Sequence, residues 1–216
     1  MVYVGKGNHS SRVMLKVVPV KLHYGGRTLD THAVLDDGSE RTILLPAAAK
    51  HLGLQRVEEA LPLRTIRQDV VKLKGASVSF EVSSLTNTQV KHHIRHAFTA
   101  AELSLAEQSC PMDSLKKRYE HLSGVPMRGF NRVQPMLLIG SDYPQLITPV
   151  RPVQTGPPGG PVAVCTLLGW AILGWASCPL ALPAVRAVPY MHFSGTPRRT
   201  ALAAKRYLTL SWTPFT

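Results

Sequence analysis

Cysteine is scarce in this chain: Cys110, Cys165 and Cys178 are the only three among 216 residues. None has a partner at metal-motif spacing, and an odd count argues against a disulfide framework, so a reducing compartment is expected. Aromatic residues make up just 6% of the chain, which leaves little material for stacking bases. Charge of negative sign is also short: 13 Asp and Glu stand against 25 Lys and Arg, for a formal net charge of +12. Residues Met1 to Arg12 are glycine-rich and polar and lack the apolar centre of a secretory signal, so a cytoplasmic location is expected. No phosphate-cradling glycine loop and no zinc knuckle occurs.

What is present fits a folded protein. Hydrophobic residues reach 44% and charged residues 18%, a balance that disordered chains do not show. The basic residues are spread out, the densest groups being Lys116-Lys117-Arg118 and Arg198-Arg199, neither interleaved with aromatics. Such scattered charge gives general electrostatic attraction to anions and no specific nucleic-acid partner.

Along the chain, residues 13–22 read as a strand and Tyr24-Gly25-Gly26-Arg27 as a turn, because paired glycines tolerate positive φ. Thr28 to Leu35 alternates as a second strand and runs into Asp36-Asp37-Gly38-Ser39. Arg41 to Leu45 is a further short strand. Pro46 opens a helix over Ala47–Leu52 that Gly53 closes. Leu61–Ile66 and Ala76–Val82 predict two strands joined by a hairpin over Arg67–Gly75, and residues 90–98 predict another. Thr99-Ala100-Ala101-Glu102 has capping-box spacing, so a helix is expected from Thr99, and a second from Pro111 to Leu122.

Met136-Leu137-Leu138-Ile139-Gly140 is a buried-strand run. Residues 151–161 are rich in Pro and Gly and read as a linker. The uncharged stretch Val162–Val185 matches the roughly 20 apolar residues of a membrane span. Gly169, Gly174, Pro179 and Pro183 interrupt it, and a strand pair packed on the domain is the preferred reading.

The chemistry-bearing candidate is the acid turn. Hydrolysis of a peptide bond by two carboxylates needs one ionised group as base and one protonated group as acid, holding a water between them. Two close carboxylates titrate as a unit, which provides both forms at once. The geometry asks for an Asp on a tight turn after a strand, with a glycine permitting close backbone approach. Asp36 and Gly38 appear in that order. Asp-x-Gly-Ser alone reads more simply as a hairpin turn.

The surrounding order of blocks resembles the retropepsin-like aspartic proteases, most closely the protease region of Pao/BEL-type retrotransposon polyproteins. Four blocks carry the likeness, over roughly residues 13 to 175: the acid turn after Ala33-Val34-Leu35, the segment Leu44 to Leu54, the block Leu138-Ile139-Gly140-Ser141-Asp142-Tyr143-Pro144, and Thr166-Leu167-Leu168-Gly169-Trp170. The resemblance implies a mostly β, closed-barrel retropepsin fold with an inserted helical segment at about 99–122. It implies Asp36 as the catalytic carboxylate, Gly38 as the close-approach glycine and Ser39 as a group orienting the acid. Leu138, Ile139 and Gly140 would pack beneath the acid loop. With one acid motif in the chain, the second carboxylate would come from Asp36 of a twin, making a homodimer that cleaves polypeptide. No cofactor and no metal are implied.

Two departures from the family pattern stand out. Asp37 occupies the position where the family usually has Thr or Ser, which places another anion beside the pair. No glycine-rich flap tip is visible between Arg64 and Gly75.

The remaining constellations have simpler readings. His92-His93-Ile94-Arg95-His96 reads as an exposed polar strand rather than a zinc site, since neighbours on a strand face opposite ways. Cys110 reads as a buried thiol, Asp142 as a helix-start cap, and Trp170 with Trp175 as packing. The expected organisation is a protease domain at 11–150, a linker and apolar Leu-Gly-Trp segment at 151–188, and a basic tail without regular structure at 189–216. Two functions follow: proteolytic maturation of a retroelement polyprotein, or a catalytically decayed copy serving as a dimerisation or binding module. The lack of capsid, polymerase or integrase segments fits a polyprotein fragment or a degenerate gene copy.

Overall fold

The computed structural model describes residues 13–64 and 70–176, which lie within one compact unit. The basic tail, residues 65–69 of the expected hairpin connection and Cys178 fall outside the described residues.

The described chain is mostly β. Its first strand pair is β2 (Val17–Tyr24) and β3 (Arg27–Leu35), which follow the short β1 (Val13–Met14). The expected single strand over 13–22 is therefore two strands with different partners: β2 pairs β3, and β1 pairs a strand from the far end of the chain. Gly25 and Gly26 take φ of +53° and +81° between the paired residues Tyr24 and Arg27, the two-residue turn the sequence predicts. Beyond the acid turn come β4 (Ile43–Leu44) and α1 (Pro46–Leu52). Gly53 ends α1 in the left-handed region at φ +66°, where a Cβ would be strained.

Strands β5 (Val57–Arg64) and β6 (Val70–Ser84) form a long hairpin. Residues 70–75, expected in its connecting loop, are ladder residues paired with Glu59 to Arg64. Strand β7 (Lys91–Thr99) then returns along β6. Thr99 is the last residue of that ladder, opposite Ala76, so no helix starts there. Residues 100–107 are irregular. Cross-strand pairing outcompetes the local capping pattern, which on its own contributes about 1 kcal/mol. The inserted segment is instead β8 (Gln108–Cys110), α2 (Met112–Arg118), a 3-10 turn at Glu120–Leu122 and β9 (Phe130–Val133).

Strand β10 (Leu137–Ile139) decides the topology. It lies parallel to β3 and antiparallel to β4, so it separates the two strands that the acid turn connects. Hydrogen bonding closes a ring in the order β2, β3, β10, β4, β7, β6 and back to β2, with β5 outside β6. The side chains alternate accordingly. Val18, Val20, Leu22, Leu35, Leu44 and Ile139 point into the main core. Val17, Val34 and Leu138 point to the other face and form a separate cluster.

The last elements are α3 (Pro144–Ile147), β11 (Gln154–Thr155), β12 (Val162–Thr166) and β13 (Gly169–Trp175). The three strands join β1 in a four-stranded sheet, β1-β13-β12-β11. Residues 151–161 were expected as a linker, yet they carry β11 and fold back on the domain. The Val150 N–H donates to the Cys165 carbonyl at 2.8 Å, and His121 Nε2 bonds the Pro161 carbonyl oxygen at 2.9 Å. The described part of the apolar stretch, residues 162–175, is a hairpin, and among the described residues no helix is long and apolar enough to cross a membrane.

Candidate active site

Asp36 is the first residue past β3, and its N–H donates to the Ile139 carbonyl at 2.9 Å. This bond ties the acid to β10 rather than to its own neighbours. The turn then closes on the carboxylate: the Gly38 N–H donates to Asp36 Oδ1 at 3.1 Å, and the Ser39 N–H reaches the Asp36 carbonyl at 3.3 Å. Asp36 Oδ2 is buried with no hydrogen-bond partner among the described residues. A buried acceptor left alone costs about 1–3 kcal/mol. The fold therefore leaves one carboxylate oxygen of the acid turn without a donor among the described residues.

Strand β10 locks the turn from beneath. Leu138 and Ile139 sit opposite Val34 and Leu35, all buried. Gly140 passes so close that an added Cβ would stand 2.6 Å from the Ser39 carbonyl oxygen and 2.9 Å from the Arg41 carbonyl. A Cβ on Gly38 would meet nothing nearer than Asp36 Oδ1 at 3.4 Å, an ordinary contact. The close-approach glycine of this site is Gly140, and Gly38 serves through its N–H. Ser39, expected to orient the acid, turns its hydroxyl to the Arg41 carbonyl at 2.9 Å.

Four residues outside the acid motif build the site. Thr42 is fully buried; its hydroxyl donates to Asp142 Oδ1 at 2.7 Å and accepts the Gly140 N–H at 3.1 Å. Asp142 Oδ2 accepts the Thr42 N–H at 2.9 Å. Asp142 is thus a clamp across the acid turn and not the helix cap expected of it; α3 has no side-chain cap. Ser141 adds two bonds, from its N–H to the Ser39 carbonyl at 2.7 Å and from its hydroxyl to the Asp37 carbonyl at 2.9 Å. Asp37 itself is exposed, and its carboxylate is ion-paired with Lys16, whose carbonyl accepts the Leu35 N–H at 2.8 Å. The placement of Ser141 and Asp142 directly after Gly140 was the available sequence signal for the clamp. Lys16 had none.

Arg41 leaves the same turn to bond both oxygens of Glu59 at 2.9 Å, linking the acid loop to β5. The outward apolar row of Val34, Leu138 and Ile43 is covered by Leu105 and Phe130 of the inserted segment.

The other candidates stay apart from the acid turn. His93 approaches Glu81 across the strand pair at 3.5 Å, so a carboxylate lies closer to the histidine run than sequence spacing implies. Among the described residues no three His, Cys, Asp or Glu side chains are grouped to hold a metal ion. Cys110 is buried, and burial pushes its thiol up to about 11. His23 bonds Ser83 Oγ at 2.9 Å and is held below its usual value, first by burial and then by Lys91. No protein-family model, curated protein or solved structure matches this chain.

Proposed function

We propose that the chain is one half of a homodimeric aspartic endopeptidase of the retropepsin type, its ring of strands being that family's closed barrel. The observation that carries the proposal is Asp36 Oδ2, a buried carboxylate oxygen with no partner among the described residues, on a turn fixed by a strand threaded between its two flanks. A twin supplying its own Asp36 gives that oxygen a proton to share, and the two groups then hold one water. The ionised carboxylate takes a proton from the water as its oxygen attacks the scissile carbonyl. The protonated carboxylate gives its proton to the carbonyl oxygen. Collapse of the tetrahedral species transfers a proton to the leaving amide nitrogen and breaks the C–N bond. No cofactor enters these steps. A retroelement polyprotein is the substrate class the resemblance suggests.

A second reading, a catalytically silent dimerisation or binding module, draws on Asp37. The position that carries a hydroxyl in the family holds a carboxylate here, tied to Lys16 of its own chain. Peptide cleavage at mildly acid pH, measured alongside sedimentation, separates the two. The endopeptidase cleaves, is inhibited by pepstatin, and loses all cleavage in Asp36→Asn. Cleavage retained by Asp36→Asn refutes the assignment, and a dimer that never cleaves supports the silent module.

A further inference from the structure

A second concavity lies away from the acid turn, bounded by β2, β3, the turn after β6, the loop before β9 and the β12–β13 connection. Its volume is about 810 Å³, and none of residues 36–39 lines it. That volume is within the range of sites that bury a ligand of several side chains. One wall is aromatic: His32 and Phe130 meet at 5.0 Å between ring centroids with their planes tilted by 54°, and Trp170 also lines the cleft. Burial holds His32 below its usual value, which disfavours its charged form in the cleft wall. Leu85 and Leu167 stand at the lips, 38% and 45% exposed, where a folded monomer gains nothing from them.

Charge in the cleft has one sign. Arg128 and Arg151 line it, both exposed, and neither guanidinium has an ion pair or hydrogen bond with a described residue. No Asp or Glu is among the described lining residues. An unpaired guanidinium beside aromatic and aliphatic surface favours a carboxylate next to a bulky apolar group. The residues of this sequence that flank the described ones do not have that chemistry. Residues 1–12 contain Lys6 and Arg12, and residues 177–216 contain Arg186, Arg198, Arg199, Lys205 and Arg206, with no acid in either. Single-stranded nucleic acid wants a continuous basic track with bases stacked along it. Two arginines between leucine lips offer less of that than they offer a peptide.

We infer that this cleft is a docking groove for an acidic, apolar-anchored peptide segment of another protein. The apolar side chain lies on the Phe130–Trp170 wall and the carboxylates meet Arg128 and Arg151. The inference is independent of proteolysis, because its test is binding.

The probe is a fluorescein-labelled peptide alternating Glu or Asp with Leu or Phe, titrated by anisotropy with the full chain. Two control peptides replace the acids by their amides or the apolar residues by serine. The expected result is binding at least tenfold tighter than either control, lost at least tenfold in Arg128→Glu/Arg151→Glu. Arg56→Glu/Lys117→Glu changes net charge equally at exposed positions outside the cleft and should alter affinity less than threefold. Equal weakening by both charge pairs overturns the inference in favour of general attraction to a basic protein. Absence of binding, equal binding of the serine peptide, or full competition by oligo(dT) overturns it as well. Far-ultraviolet circular dichroism of each variant confirms that folding is intact.

Discussion

Replacing Gly140 by alanine tests whether strand β10 truly locks the acid turn. The new methyl carbon would stand 2.6 Å from the Ser39 carbonyl oxygen and 2.9 Å from both carbonyl atoms of Arg41. Ordinary contact begins near 3.4 Å, so the backbone of the acid turn must move by about 0.5–0.8 Å relative to β10. All three obstructing atoms are main chain, and no rotamer change relieves them. Overpacking of this kind costs about 1–3 kcal/mol, and the rigid surroundings point to the upper part of that range. In a unit of this size about 3 kcal/mol lowers the melting temperature by roughly 6–12 °C. Thermal unfolding followed by circular dichroism reads the loss directly. Amide exchange over residues 36–42 should quicken by more than global destabilisation alone explains. Gly38→Ala is the matched control: its Cβ meets Asp36 Oδ1 at 3.4 Å, so its stability should stay within about 0.5 kcal/mol of the parent. Equal stability of the Gly140 variant and the parent refutes the locked-turn account, as does a larger loss in the Gly38 variant.

Gly75→Ala should be at least as damaging, because its Cβ would lie 2.3 Å from the Thr99 carbonyl oxygen and 2.6 Å from the Phe98 ring; urea unfolding measures it. Thr42→Val removes the buried hydroxyl shared by Asp142 and the Gly140 N–H, leaving a buried donor unmet at a cost of about 1–3 kcal/mol. Thr42→Ser keeps both bonds and should recover most of that loss in the same assay. His23 and His32 are both held below the ordinary 6.5, chiefly by burial. Folding therefore favours their neutral forms, so their contribution is complete above about pH 6.5 and declines as pH falls from 6.5 through the lowered folded values. Melting temperature measured across that window should drop on acidification, with a shallower slope in His23→Gln/His32→Gln; an unchanged slope in that variant contradicts the burial account.

Local rules made much of the fold legible. The Gly25-Gly26 turn, α1 between Pro46 and Gly53, and the period-two face of β3 follow from conformational limits that act within a few residues. Asp36 at a strand end and Leu138-Ile139 as a buried strand were visible for the same reason. Rules of this kind failed where a distant partner competed. Thr99 has the spacing of a helix cap, but its backbone is held by Ala76. Residues 151–161 have linker composition, yet β12 gives them a partner. Asp142 precedes a helix by two residues, yet Thr42, a hundred positions earlier, takes both its oxygens.

By itself the sequence determined which short segments pair with their neighbours and which residue ends the strand as an acid. Those outcomes depend on φ limits, alternation and burial of adjacent side chains. Tertiary structure alone decided that β10 enters between β3 and β4, that Gly140 rather than Gly38 makes the close approach, and that Lys16 holds Asp37. Each of these joins residues at least 21 positions apart. The free energy of such contacts arises only once the chain has closed on itself, so no local pattern encodes them.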